Sequence, residues 1–202
     1  MERWMLTLGI SRAPGVALAL GESAMSPSES ECLDRFPAWL ATLADDARAL
    51  AAVLETCASE EVRRSAAVAL TYIVKSVDLI TDGLEQLGYL DDALVARVAA
   101  SSVSEPERAA ETSGTIERLA QESELIRSFL GDEYARLEMF VEGLAELSVR
   151  GRSVLAVLED PEIRRELLVD VRAWAQSFVP PSFARDPKNL LKLRSFLATK
   201  LP

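Results

Sequence analysis

The chain has 202 residues, 49% hydrophobic, 27% charged and 6% aromatic, so it has the apolar material for a packed interior and wholesale disorder is excluded. No uninterrupted apolar run approaches eighteen residues, which excludes a transmembrane helix. A formal net charge of -10 argues against nucleic acid as a partner, and the absence of histidine removes the commonest metal ligand and the commonest general base.

The N-terminus, MERWMLTLGISRAPGVALALGESA, has an apolar flavour but is a poor secretory signal. Arg3 is the lone base before the apolar part, Glu2 sits beside it, and Arg12, Pro14 and Gly15 interrupt the run. It reads as an arm whose Trp4, Met5, Leu6 and Leu8 dock on the body, followed by a polar linker, GESAMSPSESE, to residue 31. Two cysteines, Cys32 and Cys57, are too few for a disulfide framework or a Cys-rich zinc site. Free thiols without a targeting signal point to a reducing cytoplasm.

From Leu33 to about Thr56, Leu40, Leu43, Ala47, Leu50 and Leu54 recur at three- and four-residue steps and predict a helix. Ser59 followed by Glu60 and Glu61 starts a second, through Val62, Ala66, Ala69, Leu70 and Ile73 to about Ile80. Gly83 and Gly88 punctuate a connection, and a third helix runs from Asp91 or its neighbour to about Val103. Ser104, Pro106 and Gly114 mark a boundary between halves. Helices follow over Ile116 to Leu130 and Glu133 to about Leu147. Asp160-Pro161 and Asp186-Pro187 each place an N-cap before a proline at the first helical position. The first of these helices stops before Pro180-Pro181, and the second passes through Leu190, Leu193, Phe196 and Leu197. No segment alternates with period two. The expected fold is all-α, a compact bundle of about seven helices in two helical subdomains, 32–105 and 112–202.

One internal echo supports reading the second subdomain as a degenerate repeat. Ala52-Val53-Leu54-Glu55 recurs as Ala156-Val157-Leu158-Glu159, and each precedes a similar opening, Glu61-Val62-Arg63-Arg64 and Glu162-Ile163-Arg164-Arg165. Coincidence in an Ala/Leu/Glu/Arg-rich chain is the competing explanation.

The segment from Tyr72 to Val95, YIVKSVDLITDGLEQLGYLDDALV, carries the most specific signal. Tyr72, Asp78, Leu79, Ile80, Asp82, Leu87, Gly88, Leu90, Asp91 and Asp92 resemble the core motif of the YkvA-like family, a bacterial domain of unknown function. Three prolines of that motif are replaced, at Ser76, at Thr81 and near Glu85, and the resemblance extends over roughly residues 35 to 105.

Between Ser76 and Asp92 there are five acids and no lysine or arginine. Asp78 and Asp82 stand four apart, so on a continuous helix they share a face and repel mildly unless a cation lies between them. Two physical roles follow. Asp91 or Asp92 caps the third helix, stabilising it by about 1 kcal/mol, and Asp78 or Asp82 caps the turn, so that the motif fixes a tight corner or part of a recognition surface. Alternatively Asp78, Asp82, Asp91 and Asp92 ligate a hard divalent cation, Mg²⁺ or Ca²⁺. Tyr72 is expected to hydrogen-bond Asp78 or a neighbouring backbone group.

Cys57, beside a helix start, reads as a packing residue, since no histidine exists to activate it. No Gly-x-Ser-x-Gly elbow or phosphate loop occurs, and a Ser-His-Asp triad is impossible. The C-terminal stretch is basic, with Arg185, Lys188, Lys192, Arg194 and Lys200 against Asp186 alone, and Leu190, Leu193 and Leu197 fall on one side of its helix. It reads as a last core helix, or as a helix for anionic lipid or a partner groove. The leading functional expectation is a non-enzymatic helical adaptor of the bacterial cytoplasm, without a cofactor, binding another protein or a second copy of itself. Its alternatives are a peripheral protein of the inner membrane using the C-terminal basic helix, and the divalent-cation site.

Overall fold

In the computed structural model, the structure describes residues 26–74, 79–81, 83, 84, 87–149 and 152–202. The expected N-terminal arm lies outside them, as do Asp78, Asp82 and Glu85.

The first helix, α1 (Pro27–Thr56), begins inside the segment read as a polar linker. The polar residues there are a start signal: Ser26 accepts from the Glu29 N–H at 3.2 Å, and the Ser26 N–H donates to Glu29 Oε2 at 2.9 Å. This reciprocal pair satisfies donors that the first turn leaves without helical partners, and Pro27 at the first position has no N–H to lose. After the Ser59 cap, α2 (Glu60–Ile73) ends seven residues earlier than its apolar pattern predicts. Then follow α3 (Leu90–Ser101), a six-residue α4 (Glu105–Ala110) and α5 (Thr115–Leu130). Gly131, at φ 57° and ψ -125°, terminates α5 in a backbone region that essentially only glycine adopts. A 3₁₀ turn (Gly131–Glu133) leads into α6 (Tyr134–Leu144).

A two-residue ribbon follows, β1 (Ser148–Val149) against β2 (Arg152–Ser153), antiparallel, with Ser148 opposite Ser153. Strands this short leave no periodicity to read in sequence. Next come a six-residue α7 (Val154–Glu159), α8 (Pro161–Ser177) and α9 (Pro187–Lys200). Both Asp-Pro signals act as read: Asp160 accepts from the Glu162 N–H at 2.8 Å and Asp186 from the Lys188 N–H at 2.9 Å. The fold is an all-α bundle with nine helices among the described residues, seven of them eleven residues or longer. The two echoed tetrapeptides occupy equivalent places, the last turns of α1 and α7, each just before a capped helix start.

At the centre lies α3, buried along its whole circumference from Leu90 to Ala100. Its apolar residues lie on every face, between the buried Asp91, Asp92 and Arg97, and α1, α2, α5 and α6 enclose it. Ala66, Ala67 and Ala69 of α2 and Ala93, Ala96, Ala99 and Ala100 of α3 are buried, and their small side chains allow close backbone approach. The long α1 packs on α2 and on α5 and α8, so the two expected subdomains share one core running from Cys32 to Leu201.

Candidate functional site

The acidic motif builds the corner between α2 and α3. Tyr72, in the last turn of α2, donates its hydroxyl proton to Asp91 Oδ2 at 2.6 Å. The Ile80 N–H donates to the same oxygen at 3.0 Å, and the Leu79 N–H donates to the Tyr72 oxygen at 3.0 Å. Tyr72 and Asp91 are both fully buried. One phenol and one carboxylate thus hold two backbone donors of the connection between the helices. Burial, reinforced by the Asp91 charge, pushes the Tyr72 phenol far above its ordinary pKa, so it remains a proton donor.

Asp91 and Asp92 are in the first turn of α3, where the helix dipole favours negative charge. Neither is its cap. The cap position belongs to Tyr89, with φ 65° and no side-chain capping bond, so Asp91 serves the loop instead of its own helix end. The left-handed conformation costs a side chain about 1 kcal/mol. Tyr89 is held there by ring contacts at 5.1 Å to Phe178 and 6.3 Å to Trp174. Gly88, buried beside it, closes the turn through its N–H to Leu84 O at 2.8 Å.

Tyr72 therefore bonds a backbone group, as expected, but the described acid it meets is Asp91, nineteen residues away in the chain. The proposed cation ligands are not seen together: Asp78 and Asp82 lie outside the described residues, and Asp91 Oδ2 already accepts two hydrogen bonds. Among the described residues no group of three or more His, Cys, Asp or Glu is arranged to hold a metal ion.

A second polar assembly, which sequence reasoning missed, sits deeper. Arg97 of α3 has no solvent exposure. Its Nε donates to Glu122 Oε2 at 2.8 Å, one terminal nitrogen lies 3.4 Å from Asp46 Oδ2, and the other donates to Ala93 O at 3.0 Å. The guanidinium stacks 4.2 Å over the Trp39 ring. Arg118 completes the cluster at 2.7 Å from Asp46 Oδ1 and 3.6 Å from Glu122. Desolvation lowers the Arg97 pKa while Glu122 and Asp46 oppose the shift. Arginine stays protonated even so, and the cluster joins α1, α3 and α5 through charges that must be paired to be buried. The signal available was a lone arginine inside Ala93–Ala100, a helix face otherwise without charge. Its partners, 51 and 25 residues distant in the chain, leave no local trace.

The C-terminal basic helix turns its apolar stripe inward, with Leu190, Leu193 and Leu197 buried. Arg185 pairs with Asp34 at 2.8 Å. Arg194 donates to Phe129 O at 2.7 Å, stacks 4.5 Å over the Phe129 ring and lies 3.4 Å from Glu29. Lys188, Lys192 and Lys200 are on its exposed side. No helix among the described residues is long and apolar enough to cross a membrane.

On the outer surface, α2, α3 and α6 enclose a groove of about 420 Å³. Val68, Val98, Ala99 and Val141, all nearly buried, form its floor. Glu61, Glu138, Glu142, Glu146 and Arg64 stand around it. The Ser65 hydroxyl, also in the lining, is turned back onto Ala99 O at 2.8 Å. Sequence reasoning missed this groove, because its walls come from three helices and its floor from residues that read as ordinary core.

A family model described as "Protein of unknown function (DUF1232)" matches residues 62–96. The match is narrower than the span of 35 to 105 expected from the motif. It runs from the start of α2 into α3, includes Tyr72, Gly88, Asp91 and Asp92, and stops one residue short of Arg97. No curated protein and no solved structure matches the chain.

Proposed function

We propose that this chain is a non-enzymatic helical adaptor of the bacterial cytoplasm that holds a protein partner in the groove between α2, α3 and α6. The groove carries the reading: a concavity with an apolar floor and a charged rim is the form a protein-recognition surface takes. The motif has a place in this scheme. The Tyr72–Asp91 bond and the Ser65–Ala99 bond fix α2 against α3, and these two helices are walls of the groove. On this reading the acidic corner is a brace that shapes the binding surface from behind. The YkvA-like assignment belongs to the same proposal and rests on the sequence match at Tyr72, Asp78, Leu79, Ile80, Asp82, Leu87, Gly88, Leu90, Asp91 and Asp92. The membrane reading is weaker, since α9 spends its apolar stripe on the core.

The test places a photo-crosslinking residue at Glu142, in the groove, and separately at Asp45, on α1, in tagged full-length protein expressed in its native cells. One partner crosslinked in near-stoichiometric amount from position 142 and not from 45 supports the reading. Equal labelling from both positions, or no partner from 142, overturns it.

A further inference from the structure

Resting on that reading of the groove, we infer that its occupant is an amphipathic helix of a partner protein that carries lysine or arginine at four-residue spacing along one flank. Glu138, Glu142 and Glu146 follow one another at four-residue steps along α6 and its C-terminal turn, and all three line the groove. A four-residue step is about 6 Å of helix rise. A second helix laid along α6 has the same repeat, so cations at its own four-residue steps meet the glutamates in register. Like charges at this spacing repel mildly, and an incoming row of cations reverses the sign of that interaction. The molecule already shows one such pairing at the head of the row, where Arg127 reaches Glu138 at 3.0 Å.

The opposite rim adds Glu61, whose carboxylate accepts from the Ser104 N–H and hydroxyl, so with Glu138 paired to Arg127 the lining still sets Glu61, Glu142 and Glu146 against Arg64. The floor of alanine and valine leaves room for the partner's backbone to approach closely, and a void of about 420 Å³ accommodates the apolar side chains of one helix face. The net charge of -10 attracts a basic segment to the protein and opposes approach of the protein to anionic lipid or nucleic acid.

The probe is a synthetic peptide of about 18 residues, five helical turns. It has a leucine/alanine face and lysines at four-residue steps on one flank. A scrambled peptide of identical composition is the control. Binding to the full chain is followed by fluorescence anisotropy at about 0.15 M ionic strength, where long-range attraction is largely screened. Three proteins are compared: the wild type, Glu142→Lys/Glu146→Lys in the groove, and Asp45→Lys/Asp132→Lys, which makes the same charge change outside it. The patterned peptide is expected to bind the wild type about tenfold more tightly than the scramble, and to lose about tenfold in affinity with the groove variant but under about twofold with the control. Equal loss in both variants, or equal binding of both peptides, overturns the inference. If Glu142 crosslinks a native partner through a segment without that basic flank, this inference falls and the adaptor reading stands. If no native partner is crosslinked, the adaptor reading falls whatever the peptide does.

Discussion

Tyr72→Phe isolates the corner in a single atom. The ring stays, with its edge-on contact to Phe140 at 6.0 Å, so packing is preserved. What is lost is the hydroxyl that donates to the Asp91 carboxylate at 2.6 Å and accepts from the Leu79 N–H at 3.0 Å. A hydrogen bond to a charged group contributes about 1.5–3 kcal/mol net, and a buried N–H left without its acceptor costs about 1–3 kcal/mol. Partial relaxation of the loop recovers some of the second contribution, so the expected loss is about 3 kcal/mol. For a chain of this size that lowers the melting temperature by about 6–12 °C. Urea unfolding followed by far-UV circular dichroism measures the loss, and Tyr72→Phe, Asp91→Asn and the double variant together form a cycle. Coupling of about 1–2 kcal/mol between the two sites is expected. A loss below about 0.5 kcal/mol for Tyr72→Phe, within the range of ordinary surface substitutions, would refute the brace.

Removing the buried cation should cost more. Arg97→Met leaves Asp46 and Glu122 with only the half-exposed Arg118, and a destabilisation of about 3–5 kcal/mol is expected in urea, partly restored by adding Glu122→Gln. A variant as stable as wild type would show that the cluster is energetically neutral. The two thiols should differ in native thiol labelling: Cys32 is fully buried and its pKa is pushed up to about 12 by desolvation, so it reacts only after unfolding, whereas half-buried Cys57 reacts first. Acid should loosen the start of α1 and its tie to the segment that leads into α9. Hydrogen bonds from Ser26 hold the Glu29 carboxyl below its ordinary 4.5, and a hydrogen bond from Arg185 holds Asp34 below its ordinary 3.8. Depressed carboxyl pKa values mean stability that is full above the ordinary values and lost as pH falls through the folded ones. The melting temperature should therefore drop below about pH 4.5, and Arg185→Gln should make the drop shallower. An unchanged slope in that variant would remove Asp34 from the account.

The sequence determined what depends on near neighbours. Helical periodicity, the Ser59, Asp160 and Asp186 starts and the missing period-two pattern were enough for an all-α bundle, because caps and amphipathic stripes are encoded within a few residues. The motif's importance was legible too, in Tyr72, Gly88, Asp91 and Asp92. Local rules misled where one signal had two meanings. PSESE looked like a linker, yet its serine, proline and glutamate are a capped helix start. Asp91 looked like a cap, yet it holds the loop. Tertiary structure alone decided that α2 stops at Ile73, that α3 is enclosed on every side, that Arg97 finds Asp46 and Glu122, and that α2, α3 and α6 leave a groove between them. The physical reason is common to all four: burying a charge, ending a helix early or opening a concavity depends on which distant segments fill the space around a residue, and the local pattern of side chains carries no record of that.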